Sequence, residues 1–510
     1  MANSAKTSQA GDAQVCPVAD DQGAAGAEST DGTRTGSNGG SPHAPASEPP
    51  KVVSMRPAWG VYESLPPGPS MPALFQMLGY WYRREAFLAR CRSHYGNRFT
   101  LRIRVPPMPF VVLSDPDDIK QMCLAPPDVL YAGDGSAQLE KYFGPTGLAF
   151  MEEDEHLSRR RLISQITHGD GAQRMSELIA KVVEREVASW PTGEVTPMYP
   201  RVHRLAVKLM REVSFGPEHD PRLDELLDVH IDMLQLGNSF MSLVPTHTLP
   251  PRALRMIKAI RPLGFARFFE RRAHADRLIR EVVEDRRRDG GGGDGLVSLL
   301  LSAKHEDGSP LSWVELRDEV VTTLVAGAES SAATISFAME RLAHEPRIRE
   351  RLVAEVDAGE GDAYLTATVQ EILRVKPVVP MIPRLVMKPV EIGGIHYPPG
   401  VRLWGNAYLV HTNPDVYPDP YTFRPERFLE KPPGTYTWIP FGGGRRRCLG
   451  QVIAERELKC VLREVLLRYE WQLEREELEP RRSRGAAIVP KNGLRMTLTE
   501  RSREPALAAG

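Results

Sequence analysis

Apolar and polar positions divide the chain into regions of different character. Residues 1–50 are mostly Ala, Gly, Ser, Thr, Asp and Pro, with hardly any large apolar side chain. Such a segment buries too little surface to offset its ordering entropy, so it is expected to be a disordered tail without a chemical role. It lacks the basic start and continuous apolar stretch of a secretory signal. Order is expected to begin near the rigid turn Leu65-Pro66-Pro67-Gly68-Pro69. An apolar-periodic segment follows to about Cys91. Phe99-Thr100-Leu101-Arg102-Ile103-Arg104-Val105 then alternates like a half-buried strand, Phe110–Leu113 resembles its partner, and Asp115-Pro116 opens a helix.

From about 150 to 380 the pattern is mainly helical. The arginine-rich stretch Arg271–Arg288 ends at Gly290-Gly291-Gly292-Gly293, a flexible surface loop by composition. Ser312-Trp313-Val314-Glu315 has the form of a capping box, and the apolar pattern behind it continues to Pro346. A helix over 312–345 would be about 50 Å long, enough to run through the middle of a large domain. Beyond Pro377 the pattern changes to short strands and loops. One last helix is predicted over Leu449–Tyr469, with Val452, Ile453, Leu458, Val461, Leu462, Val465 and Leu466 on one face. No internal repeat is present. The pattern predicts a mainly α fold with small β-sheets, one large domain over 51–510 and a long central helix.

Composition narrows the function classes. The 65 Lys+Arg and 66 Asp+Glu leave a net charge of −1, which argues against a broadly basic nucleic-acid surface. No run of 18 or more apolar residues occurs, so a membrane anchor is not expected. The five cysteines (Cys16, Cys91, Cys123, Cys448, Cys460) are odd in number and scattered, unlike a disulfide framework or a zinc cluster. A reducing, cytoplasmic setting is expected.

The densest chemistry lies in Phe441-Gly442-Gly443-Gly444-Arg445-Arg446-Arg447-Cys448-Leu449-Gly450. Its glycines permit backbone paths closed to other residues and a close approach to a flat ligand. Cys448, placed where the last helix begins and flanked by arginines, is expected to favour the thiolate, a good axial ligand for haem iron. On residue type alone, three other readings stay open. Cys448 could be a structural thiol, the glycines could cradle a phosphate, and the arginines could form a solvated patch. Neither phosphate-loop spacing is present.

The spacing resembles the haem-binding signature of the cytochrome P-450 family, F-x-x-G-x-R-x-C-x-G, at Phe441, Gly444, Arg446, Cys448 and Gly450. That resemblance implies that Cys448 is the proximal iron ligand, that Arg446 meets a haem propionate and that Phe441 shields the sulfur. Glu371-Ile372-Leu373-Arg374 puts opposite charges one helical turn apart, a common surface pattern in isolation. Placed before Pro377 and 77 residues ahead of Cys448, it resembles the family's E-x-x-R, and Pro425-Glu426-Arg427-Phe428 resembles the element that completes it. The resemblance implies a buried triad of Glu371, Arg374 and Arg427 behind the haem.

Ala326-Gly327-Ala328-Glu329-Ser330-Ser331 falls inside the long helix, where Gly327 and two hydroxyls are poor helix material. It could be a small-residue patch for close helix packing, or a local widening of the helix into an oxygen-binding groove. It resembles the family's acid–alcohol motif, with Glu329 as the acid and Ser330 where threonine is usual, and this implies that both supply protons. His156 and Arg160 should share a helix face. They match the family's H-x-x-x-R, which grips the propionates, and Arg384 is a further propionate candidate.

Taken together, the resemblance runs from about Leu65 to about Thr499. It implies a monomeric haem-thiolate monooxygenase with haem b and O2. Electrons would come from NAD(P)H through a ferredoxin and its reductase, docking at Arg445, Arg447, Arg456 and Lys459. Substrate-facing segments near 126–150, 234–250, 378–382 and 485–490 carry Tyr131, Leu139, Phe143, Phe240, Met241, Leu243, Val378, Val379, Met381 and Ile488. These are mainly apolar, implying a lipophilic fatty acid, terpenoid, steroid or polyketide.

Overall fold

The structure, a computed structural model, describes residues 64–103, 109–133, 136, 139–166, 170–217, 219–236, 252–253, 255–256, 264–484 and 486–502. The predicted tail, Arg104 and Val105 of the predicted strand, and Phe240, Met241 and Leu243 lie outside the described residues.

Helices α1 (Ala73–Tyr82) and α2 (Arg84–Tyr95) precede strands β1 (Arg98–Leu101) and β2 (Phe110–Leu113), which pair antiparallel with Phe99 opposite Val112. Helix α3 (Pro116–Leu124) starts where Asp115 accepts the Asp117 N–H at 2.9 Å and Pro116 supplies a helical φ. The chain continues through β3 (Leu130–Tyr131), α4 (Glu140–Phe143), α5 (Glu153–Ser164), α6 (Asp170–Val187), β4 (Val195–Pro197), α7 (Met198–Phe215), α8 (Pro221–Leu236), α9 (Phe265–Arg288) and α10 (Leu296–Ser302).

Helix α11 (Trp313–His344) is the predicted central helix. Ser312 accepts from the Glu315 N–H at 3.3 Å while the Glu315 carboxylate accepts the Ser312 N–H at 2.9 Å, closing both halves of the capping box. At 1.5 Å per residue its 32 residues span about 48 Å. Among the described residues it is the one helix long and apolar enough to cross a membrane, and 72% of that apolar window is buried inside the protein, as a core helix requires. Gly327 is what lets α7 cross it closely, since a Cβ there would lie 2.2 Å from the Met210 sulfur. Of the two readings of the small residues at 326–331, packing accounts for this glycine. The six residues continue the α-helix.

Past α12 (Pro346–Ala358) and α13 (Ala363–Val375), the chain forms β5 (Met381–Val386), the hairpin β6–β7 (Val390–Ile392, Ile395–Tyr397), β8 (Arg402–Asn406), α14 (Ala407–His411) and α15 (Glu426–Glu430). The main sheet has the order β1-β2-β8-β5-β3, with only β2 and β8 parallel. The last helix, α16, spans Gln451–Arg468. It is shorter than predicted at both ends, because Gly450 is its N-cap and Tyr469 already begins a strand. Val452 turns outward, correcting its assignment to the apolar face, while Leu458, Val461, Leu462, Val465 and Leu466 are buried as expected. Strands β9 (Tyr469–Leu473), β10 (Arg481–Arg484), β11 (Ala487–Pro490) and β12 (Arg495–Glu500) complete a hairpin, β10–β11, and a small sheet, β4-β12-β9. The result is mainly α with small sheets.

Candidate haem-thiolate site

The loop before α16 is closed by its own backbone. The Cys448 N–H donates to the Phe441 carbonyl at 2.9 Å and the Arg447 N–H to the Gly444 carbonyl at 3.1 Å. Gly442 and Gly444 have φ of +73° and +63°, conformations that favour glycine. A Cβ on Gly444 would lie 2.3 Å from the Cys123 carbonyl, so the close approach these glycines permit is to the end of α3. Phe441 packs edge-on against Trp438 at 6.0 Å between ring centroids.

Cys448 lies two residues before the N-cap Gly450, slightly further from the helix than the predicted start at Leu449 had put it. Its side chain is exposed, with protein packed densely around the loop. That enclosure pushes the thiol pKa up, outweighing the Gly450 N–H and the charges of Arg160 and Arg447, which pull it down. In the protein alone, desolvation thus opposes the thiolate that the arginines favour.

His156 and Arg160 both lie on α5, as their spacing required. His156 is buried, and burial together with the charges of Arg446, Arg160 and Arg384 lowers its pKa to about 3. Burial also lowers Arg384, and it takes Arg446 to about 10 against the attraction of Glu152. Arg446 donates to the Met151 carbonyl and pairs with Glu152, the N-cap residue of α5. Cys123, Glu152, His156, Arg384, Arg445 and Arg446 line one crevice. The crevice sets three guanidiniums, the buried Arg384, the half-buried Arg446 and the exposed Arg445, against the two carboxylates of Glu152 and Glu153, a balance that suits further anions. Haem propionates would suit these donors, and the exposed Cys448, two residues past Arg446, would supply a sulfur ligand to the iron.

Glu371 and Arg374, both fully buried on α13, are joined by bonds of 2.7 and 2.8 Å. Arg427 reaches the same carboxylate at 3.1 Å, and the Arg424 N–H donates to it at 2.9 Å. The remaining Arg374 donors meet the carbonyls of His411 and Pro420, each at 2.8 Å. Pairing together with these backbone acceptors is what a buried charge demands.

The acid and alcohol at 329–330 are separated. Ser330 is half-buried, one helical turn from exposed Ala326, and its hydroxyl donates to the Ala326 carbonyl at 2.7 Å. Glu329 is buried elsewhere, accepting from Tyr199 at 2.7 Å and from Arg484 at 3.2 Å, with His203 Nε2 at 3.1 Å. Burial raises its pKa, but the His203 bond, the Arg484 charge and the Tyr199 bond outweigh that, and the net shift is downward.

Val378 and Ile488 are buried, and Leu139, Phe143 and Val379 pack against the core. Tyr131 bonds Glu153. Of the four basic candidates for partner docking, Arg445 and Arg447 are exposed. Arg456 instead donates to the Ala172 carbonyl and Ser176, and Lys459 pairs with Asp362 at 2.7 Å. Sequence reasoning missed Tyr199, His203 and Arg484. It also missed His411 and Glu457, whose surroundings are assembled from distant segments.

Comparison with known proteins agrees with this geometry. The family model described as Cytochrome P-450 matches residues 65–498. The chain is 33% identical over 439 residues to cytochrome P-450 135B1 of Mycobacterium tuberculosis, covering 85% of this chain and 91% of that protein. It is 32% identical over 454 residues to cytochrome P-450 138 of the same organism, covering 88% of this chain and 100% of that protein. Among solved structures, cyanobacterial CYP120A1 with retinoic acid bound superposes with a TM-score of 0.73 at 23% identity, covering 86% of this chain and 100% of that one. The chain belongs to the cytochrome P-450 family, the haem-thiolate monooxygenases that work with haem and O2.

Proposed function

We propose that this protein oxidises a C–H or C=C bond of a lipophilic small molecule, with electrons passed from NAD(P)H through a ferredoxin reductase and a ferredoxin. The observation that carries the reading is the exposed Cys448 thiol two residues beyond Arg446, which lines a crevice together with the buried Arg384 and His156. When bound, haem supplies oxygen activation, and a thiolate ligand favours O–O cleavage.

The chain's own residues have separable tasks. Cys448 would hold the iron as a thiolate, and its N–H bond to the Phe441 carbonyl keeps the loop in shape for that. Phe441 shields the sulfur from water. Gly450, beside the sulfur, adds no side chain to crowd it. Arg160, Arg384, Arg446 and His156 hold the propionates. Glu371, Arg374 and Arg427 fix the backbone behind the site. Ser330 holds a proton at Oγ at a half-buried position on the central helix, where water can relay it. The apolar Val378, Val379 and Ile488 favour a lipophilic substrate of the fatty acid, terpenoid, steroid or polyketide kind. Retinoic acid, bound by the cyanobacterial neighbour, is a reasonable first compound to try. A cytoplasmic monomer with Arg445 and Arg447 turned to an acidic ferredoxin completes the reading.

The test is spectroscopic. The reduced, haem-loaded protein should show the red-shifted carbon-monoxide band of a thiolate ligand, and Cys448→His should abolish it. Persistence of the band in that variant rejects the ligand assignment. Titration with lipophilic compounds, followed by the absorbance change as water leaves the iron, then identifies the substrate class.

A further inference from the structure

Glu329 is buried, whereas its neighbour Ser330 is half-buried. Its neighbours are Tyr199 and His203, both on α7, and Arg484, the last residue of β10. Tyr199 lies at 2.7 Å, His203 at 3.1 Å, and one Arg484 nitrogen at 3.2 and 3.4 Å from the two carboxylate oxygens. A carboxylate has about four acceptor sites, and these four contacts occupy them. Glu329, Tyr199, His203 and Arg484 are all buried. A group so saturated has little to offer the cleft, but it holds Arg484 firmly.

Arg484 stands at the turn of the β10–β11 hairpin. Its partner across the hairpin is Ala487, and Ser483 pairs with Ile488. The Ile488 N–H donates to the Val378 carbonyl at 2.9 Å, just past the end of α13. The hairpin end is thus pinned on both strands, to the central helix through Glu329 and to the 378 segment through Ile488. Among the described residues Arg484 Nε has no hydrogen-bond partner, so loss of Glu329 would leave the buried guanidinium with the Tyr199 hydroxyl at 3.2 Å as its remaining partner among them.

We propose that Glu329 and Arg484 form a tether that fixes how far the hairpin presents Ile488 to the substrate cleft, making both substrate-positioning residues, with Glu329 serving no proton-delivery role. This rests on the haem-thiolate reading, in which that cleft lies over the haem. A buried ion pair suits the task because its bonds fix one geometry, whereas an apolar contact would tolerate sliding.

The experiment uses haem-loaded protein and two probes, imidazole, which needs only the iron, and clotrimazole, whose three aryl rings fill the space above it. The carbon-monoxide band is recorded first. If the unaltered protein lacks it, the haem-thiolate reading falls, and hydrogen exchange alone decides the tether. Glu329→Gln and Arg484→Met should each speed hydrogen exchange in residues 481–490 and weaken clotrimazole about tenfold, while imidazole affinity stays the same. The double variant should be no worse than either single one, and Arg484→Lys should recover much of the loss. Equal weakening of both probes would mean general loosening and overturn the tether. So would unchanged exchange and clotrimazole binding in Glu329→Gln accompanied by increased peroxide release, the signature of a proton-delivery role.

Discussion

His411 connects the buried Arg374 to the cysteine loop. Its Nδ1 lies 3.0 Å from the Arg374 carbonyl, and its Nε2 lies 2.9 Å from the Ile439 backbone nitrogen. The Ile439 N–H can only donate, so Nε2 is the bare nitrogen and Nδ1 carries the proton. The ring is neutral, with burial and then the Arg374 charge lowering its pKa to about 3. Ile439 is two residues from Phe441, so the Glu371–Arg374 pair reaches the haem-binding loop through one imidazole.

Arg374→Ala should be severely destabilising. It leaves the Glu371 carboxylate fully buried with Arg427 as its remaining side-chain cation. Breaking such a pair costs about 3–5 kcal/mol, enough to lose much of the haem-loaded protein. Guanidinium denaturation and the haem-to-protein absorbance ratio measure both effects, and an unchanged midpoint would contradict the role given to the triad.

Acid should destabilise the fold before carboxylate titration is reached. His156, His230 and His411 all have folded pKa values lowered from 6.5 to about 3. Between those values the unfolded chain binds protons that the folded one refuses, so stability falls as pH drops through 6.5 toward 3. Urea midpoints measured across this range should decline, and His156→Gln should make the decline shallower.

Glu457 predicts the opposite pH dependence. It is fully buried on α16, neither oxygen makes a hydrogen bond, and the Ser331 hydroxyl is the polar group facing it. Burial raises its pKa from 4.5 to about 7. The folded chain keeps a proton that the unfolded chain has lost, so this group costs stability increasingly as pH rises from 4.5 to beyond 7. Glu457→Gln should therefore gain stability over the parent at pH 8 and show little difference at pH 4. A constant difference at both pH values would rule this out.

Ser330→Ala removes a hydroxyl bonded within its own helix at a half-buried position, so stability should change little. Peroxide formed per electron pair should rise, while Ser330→Thr, with a stiffer rotamer, should lower it. If Ser330→Ala leaves the peroxide yield unchanged, the assigned proton role is wrong.

Charge reversal should separate docking from structural arginines. Arg445→Glu should slow reduction by ferredoxin in a salt-dependent way, because it is exposed and close to the cysteine. Arg456→Glu and Lys459→Glu should act mainly on stability, since both side chains tie α16 to neighbouring segments. Stopped-flow reduction at two ionic strengths distinguishes the two outcomes.

What the sequence determined was local. The capping box at Ser312 and Glu315, the Asp115 cap, the glycine turns around Cys448 and the three-residue spacing of Glu371 and Arg374 are set by nearby residues, and they are legible because the geometry they need spans a turn or two. Motif spacing carried the haem-thiolate identity for the same reason. Tertiary structure alone decided where buried charges find partners. Glu329 is adjacent to Ser330 in sequence, yet its side chain joins Tyr199, His203 and Arg484 from 130, 126 and 155 residues away. The same holds for His411 and for Glu457. Periodicity assigns a residue to a face, but desolvation and ion pairing depend on what packs against that face, and folding supplies that from distant parts of the chain.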